Sequence, residues 1–257
     1  MNTAICITLF EDMRLTMPNN KIVIKMGGGL ITDKSQYKAV LQERINAVCK
    51  VVAQIKKNKD SIILVHGAGS FGHLQAKKWS LQNGFDEDII ENQRKAVKSV
   101  RDDMIELNSY ILKSLNYYGI EGIPNPPSTW ANGLGPEFNG DISFFNDEND
   151  NSIQITFGDV VDVHNEKEFG ILSGDDLMVR ICKEIPDVTH CIFLLGDTEG
   201  LLSKPPNEEG SELITIWSKE QEISGKHEEN QDVTGGIFLK AESASEISQK
   251  VDHVWMI

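Results

Sequence analysis

Twice in this chain a short apolar run ends directly in a glycine-rich loop, and that pairing constrains the fold more than any other feature. IVI at 22–24 opens into KMGGGLITDK, and IILV at 62–65 runs straight into HGAGSFGH. A strand that stops on glycines gathers backbone N–H groups at the turn into the next helix. Longer periodic segments follow each loop. Leu41, Ile45, Val48, Val52 and Ile55 recur at helical spacing, and Val97, Val100, Met104, Leu107 and Ile111 stripe a second helix over roughly 90–118. In YYGIEGIPNPP, Pro124, Pro126 and Pro127 forbid helix, and the segment reads as a turn. IQITFGD (153–159), GILSGDD (170–176), CIFLLGD (191–197) and the terminal VDHVWMI read as strands or strand ends. The alternation predicts an α/β protein, an open αβα sandwich with a mainly parallel central sheet. Neither a repeat nor a linker divides it, so residues 21–257 are expected to form one domain behind a tail of residues 1–20.

Charge narrows the partners. With 25 Lys+Arg against 39 Asp+Glu the net charge is −14, which argues against nucleic acid, since duplex binding needs phosphates neutralised by basic side chains. A small anionic substrate is not excluded, because it feels only the field of its own pocket. The acidic excess lies largely in the polar loops at 146–151, 205–212 and 219–232. Cys6, Cys49, Cys182 and Cys191 show no metal-ligand spacing, and Cys49 and Cys191 sit in apolar stretches. They read as buried thiols of a reducing compartment, which points to the cytoplasm. No apolar run is long enough to span a membrane, and the AICITLF run near the start lacks a preceding basic region, which makes it a poor signal peptide.

The candidate chemistry stands at the carboxyl ends of the strands, where open α/β sheets bind ligands. Lys25 precedes Gly27, Gly28 and Gly29, and Lys34 closes that loop; glycine amides and two ammonium groups suit an anion, although a tight turn with surface lysines reads the same way. Gly67-Ala68-Gly69-Ser70-Phe71-Gly72 matches GxGxxG after a strand. The dinucleotide fingerprint, however, belongs on the first strand with an acidic residue ending the second. Here an earlier strand already carries a glycine loop, and His66 and His73 bracket the second one. His73, beyond the last glycine, is expected to donate to a phosphate oxygen if it stands at a helix N-terminus. Gly158-Asp159, Ser173-Gly174-Asp175-Asp176 and Gly196-Asp197 are acidic turns ending apolar runs, where carboxylates orient lysines, hold Mg2+ through water or cap helices. Asp232-Val233-Thr234-Gly235-Gly236 with Lys240 offers a backbone nest, a hydroxyl and a cation for a nucleotide phosphate. There is no Walker P-loop, HExxH or GxSxG.

Taken in order, KMGGG–ITDK, HGAGSFGH, FGDVV, ILSGDDL and DVTGGIFLK resemble the amino acid kinase superfamily, and within it most of all the isopentenyl phosphate kinase branch. The likeness runs from about Lys21 to the end of the chain. It implies the αβα sandwich and transfer of the γ-phosphoryl of ATP, with Mg2+, to the phosphate of isopentenyl phosphate, a step of an alternative mevalonate route. It also implies a homodimer. By that resemblance Lys25 and Lys34 flank the transferring phosphoryl, Asp175 orients lysines and His73 binds the acceptor phosphate. Gly67, Ala68, Gly69, Gly158 and Asp159 border the substrate, while Gly27, Gly28, Gly29, Ser173, Gly174, Asp197, Gly200, Thr234, Gly235, Gly236 and Lys240 fall on the nucleotide side. Two departures stand out: Gly29 replaces the usual serine of the first loop, losing a hydroxyl, and Gly196 and Thr198 stand where relatives often read Asp-Val-Asp-Gly.

The phosphoryl-transfer expectation has physical sense, since the reaction needs two anions held in line and positive charge around the transition state, not a protein nucleophile. Alternatives are a kinase of this fold for a phosphonate or carboxylate, and a non-catalytic nucleotide-binding protein. An isoprenoid tail would need an apolar chamber, expected near Phe71, Val97, Val100 and Met104.

Overall fold

A computed structural model describes residues 20–57, 60–146, 151–196, 198–204, 208–217 and 236–257. In chain order these form β1 (Lys21–Met26), the single turn α1 (Gly28–Ile31), a hairpin of β2 (Thr32–Asp33) and β3 (Ala39–Val40), α2 (Gln42–Lys56), β4 (Ser61–His66), α3 (Gly69–Lys78) and α4 (Ile90–Tyr117). There follow β5 (Glu121–Pro124), β6 (Ser152–Phe157), β7 (Asp159–Val163), β8 (Glu168–Leu172), α5 (Gly174–Glu184), β9 (Val188–Leu194), α6 (Gly236–Ile247) and β10 (His253–Met256).

The central sheet has the order β10-β9-β1-β4-β6-β5, and all its pairs are parallel. Pleating sends alternate side chains to opposite faces. From β1, Ile22, Ile24 and Met26 enter one core with α2 and α4, whereas Val23 enters a second core with Leu177, Met178 and Ile181 of α5. The predicted three-layer sandwich is therefore the observed one. Lys25 shares the parity of Val23, so sequence position alone turns it toward α5.

Both predicted helical stripes face the sheet, save that Leu41 is the half-buried N-cap and lies outside α2: Ile45, Val48, Val52 and Ile55 of α2 are buried, as are Val97, Val100, Met104, Leu107 and Ile111 of α4. The proline-rich segment differs from its reading as a turn. Glu121–Pro124 is a strand, tolerated because it lies at the sheet edge, where a missing N–H costs no ladder bond. GILSGDD does begin in a strand, but β8 pairs antiparallel with β7 in a separate ribbon. Asp159 therefore follows a strand of the main sheet and Asp175 a strand of the ribbon, so the acidic turns are not equivalent places. Cys49, Cys182 and Cys191 are buried free thiols; Cys6 lies outside the described residues. Among the described residues no helix is long and apolar enough to cross a membrane.

Candidate active site

Strand order reverses at β1, whose parallel neighbours β4 and β9 belong to opposite halves of the sequence. The crevice expected of such a sheet opens at this point, and the glycine loops line it. The loops after β1 and β4 touch backbone to backbone: a Cβ on Gly28 would lie 2.4 Å from the Gly69 nitrogen, and one on Gly67 would lie 2.7 Å from the Gly28 nitrogen. Three of the expected binding glycines give their N–H groups to the fold. Gly27 N donates to Leu194 O at 2.9 Å, Gly67 N to Met26 O at 2.9 Å and Gly158 N to His66 O at 3.1 Å. These three act by leaving room, not by donating to an anion.

At the floor, Lys25 is 4% exposed and its Nζ lies 2.5 Å from Asp175 Oδ1. Lys240 approaches the other oxygen, with Nζ 3.7 Å from Oδ2. Asp175 sits in the first turn of α5, where the helix dipole favours a carboxylate. The Lys25 stem passes over Gly174, whose added Cβ would stand 3.1 Å from Cε. Two ammonium groups around one buried carboxylate leave local positive charge inside an acidic protein.

The neighbouring acids have other duties. Ser173 caps α5, its hydroxyl donating to Asp176 Oδ2 at 2.7 Å while accepting from Asp176 N at 3.0 Å. Burial raises the Asp176 carboxyl, against the lowering effect of its Ser173 bonds. Asp159, also buried, accepts from Ser128 N at 3.1 Å and Val160 N at 2.8 Å. Burial pushes its carboxyl up, again opposed by those donors. Among the described residues no group of three or more His, Cys, Asp or Glu side chains is placed to hold a metal ion.

The two bracketing histidines differ in kind. His66 is fully buried, its ring tilted against Phe157 with centroids 4.8 Å apart and its Nδ1 3.1 Å from Gly67 O. Burial drives its pKa down to about 4, so it is a neutral part of the core. His73 is half-buried in the second turn of α3. Lys34 is half-buried on the turn of the β2–β3 hairpin, which is tied to the start of α3: Thr32 Oγ1 accepts from Ser70 N at 2.9 Å, and Ala39 N donates to Ser70 Oγ at 3.2 Å. Phe71, Val97, Val100 and Met104, expected around an apolar chamber, are all buried in the core beneath α3.

On the opposite flank, Gly236 opens α6 with Lys240 one turn on, and Gly200 is buried against the end of β10. Asp197, Thr234 and Gly235 lie outside the described residues. Gly29 packs against Gly196, whose added Cβ would meet Gly29 C at 2.4 Å, and Arg44 Nη1 lies 3.5 Å from the carbonyls of both. Sequence reasoning passed over Arg44, which lies off the apolar stripe of α2 and inside no motif. It also passed over Tyr37, Lys38 and Asp103. For Asp103 a signal existed, since an acid at that position interrupts the buried face between Val100 and Met104.

A parallel sheet with glycine loops and a buried lysine–aspartate cluster at its switch point defines a phosphate-handling α/β protein. Residues 20–257 match the amino acid kinase family, and the chain belongs to it. It is 29% identical over 235 residues to isopentenyl phosphate kinase of Thermoplasma acidophilum, covering 90% of this chain and 89% of that one. It is 27% identical over 226 residues to the Methanocaldococcus jannaschii isopentenyl phosphate kinase, covering 85% and 84%. The solved product complex of the T. acidophilum enzyme superposes with a TM-score of 0.75 at 25% identity, covering 93% of this chain and 91% of that one.

Proposed function

We propose that this chain transfers the γ-phosphoryl group of ATP to the phosphate of isopentenyl phosphate, giving isopentenyl diphosphate and ADP. The observation that carries the reading is the buried Lys25–Asp175–Lys240 cluster at the carboxyl end of the central strand. The relatives that align with most of the chain and are named isopentenyl phosphate kinase support the choice of acceptor. An oxygen of the acceptor phosphate bonds to Pγ as the bond from Pγ to the β–γ bridging oxygen breaks, and ADP leaves. Charge spreads over the transferring group, so the protein's work is alignment and fixed positive charge. Lys25 supplies that charge; an ammonium has three donors and can serve Asp175 and a phosphate oxygen together. Asp175 fixes Lys25 and draws Lys240 toward the same point from the nucleotide side.

Lys34 stands opposite Lys25 at the transferring group, and His73 donates to the acceptor phosphate. Gly67, Ala68, Gly69, Gly158 and Asp159 border the acceptor. Gly27, Gly28, Gly29, Ser173, Gly174, Asp197, Gly200, Thr234, Gly235, Gly236 and Lys240 surround the nucleotide. Asp175 is engaged by lysines and Asp159 by backbone donors, which favours Mg2+ carried on the ATP phosphates over an ion caged by protein. The reading takes the enzyme as a cytoplasmic homodimer with residues 21–257 as its one domain; the buried free thiols suit a reducing compartment.

A coupled assay for ADP release with Mg·ATP and isopentenyl phosphate tests it. Turnover is expected, with kcat/KM lowered about 100-fold or more by Lys25→Ala and by His73→Ala. Turnover of a phosphonate or carboxylate in its place would reassign the acceptor, and ATP binding without turnover of any acceptor would remove the enzyme reading.

A further inference from the structure

Asp103 is out of place by its surroundings. It lies on the inner face of α4 between Val100 and Met104 and is 4% exposed, where an unpaired carboxylate would be costly. Its partners come from the β2–β3 hairpin, more than sixty residues earlier: Tyr37 Oη donates to Oδ2 at 2.6 Å, and Lys38 Nζ stands 2.6 Å from Oδ1. Lys38 also reaches Glu106 at 2.7 Å and lies within 5.9 Å of the Phe71 ring centroid. To do so Lys38 adopts φ 55°, a left-handed conformation disfavoured for a residue with a Cβ. The two carboxylates hold its ammonium firmly protonated.

The hairpin is therefore fastened at both ends. Its root is held to the first turn of α3 through Thr32 and Ser70, and its far limb to α4 through Tyr37 and Lys38. Lys34 lies on the turn between these fastenings. Both hairpin lysines lie on the turn, Lys34 at its start and Lys38 at its end, where Lys38 pairs with Asp103.

We propose that Asp103 is a positioning residue for phosphoryl transfer: by clipping the 32–40 hairpin onto α4 through Tyr37 and Lys38, it fixes Lys34 over the reacting phosphates. The step from clip to chemistry rests on the function proposed above, and the experiment separates the two. In full-length protein, Asp103→Asn removes the charge and keeps the shape. It is expected to speed amide hydrogen exchange across residues 34–38 and to lower kcat about 10- to 100-fold. The KM for ATP is expected to stay within about twofold, since Lys34 acts on the transferring group. Added to Lys34→Ala, Asp103→Asn should cause little further loss, because both act through one ammonium. Unchanged exchange would overturn the clip. Independent, multiplying losses in the double variant would overturn the link to Lys34. If the wild-type chain turns over no acceptor, the functional reading falls while the exchange measurement still decides the clip. Tyr37→Phe, which removes one hydrogen bond at an exposed ring, should give the same pattern at smaller size and serves if Asp103→Asn does not fold.

Discussion

At the scale of single residues, the titration of His66 gives the most direct check. The folded ring has a pKa of about 4 against an ordinary 6.5 because burial penalises the imidazolium. As pH falls below 6.5 the unfolded chain takes up the proton first, so stability drops between about pH 6.5 and 4. The full shift amounts to roughly 3 kcal/mol, of which about 2 kcal/mol is lost between pH 7 and 5. His190, also lowered to about 4 by burial and by its neighbour His253, adds in the same direction. Asp159 and Asp176, raised by burial, oppose it. Urea unfolding of wild type and His66→Gln at pH 7 and 5 isolates the His66 part: the variant should lose about 2 kcal/mol less over that interval. Equal slopes for the two proteins would mean that His66 is not the neutral core group described. The same burial explains why a symmetrical pair of histidines in the sequence becomes one structural ring and one half-buried ring on α3.

At the scale of elements, the glycine loops and the cap of α5 make opposite demands on one methyl group. Gly28→Ala drives a Cβ to 2.4 Å from the Gly69 nitrogen, backbone against backbone, so the two loops must part. A loss of about 3 kcal/mol and a large fall in turnover are expected. Ser173→Ala meets no clash but removes the hydroxyl's two bonds to Asp176, leaving only the backbone half of the capping box, which costs about 1 kcal/mol. Denaturant midpoints of the two variants should differ accordingly, and a Gly28→Ala protein as stable as wild type would mean that the loops do not touch. These elements also show what a sequence reveals. α2 and α4 were legible because Ile45 to Ile55 and Val97 to Ile111 keep helical period, and the facing of Lys25 follows from parity with Val23. β5 was hidden because Pro124 reads as a breaker, and nothing local tells an edge strand, which tolerates it, from a turn. An apolar run such as β8 announces a strand without naming its sheet. Residue pattern alone did not single out Asp175 among several acids as the partner of Lys25, because the contact depends on how the first turn of α5 crosses β1; the family resemblance did.

At the scale of the whole molecule, the net charge of −14 and the cationic floor of the crevice act over different distances. Screening lengths of about 10 Å at 0.1 M salt weaken the far field of the acidic surface. Pairs as buried as Lys25 and Asp175, with side chains 5% and 3% exposed, are screened much less. On the proposed function, a phosphorylated substrate is expected to be repelled at long range and held at short range, the reverse of a protein that collects anions on a basic face. This has a kinetic signature. At fixed free Mg2+, raising KCl from about 20 to 200 mM should raise kcat/KM for isopentenyl phosphate by about twofold, because screening removes the repulsion that slows encounter. kcat, set inside the crevice, should change less. A steep fall in kcat/KM with salt would show instead that the lysines govern capture at a distance, and the acidic surface would then have no part in substrate approach.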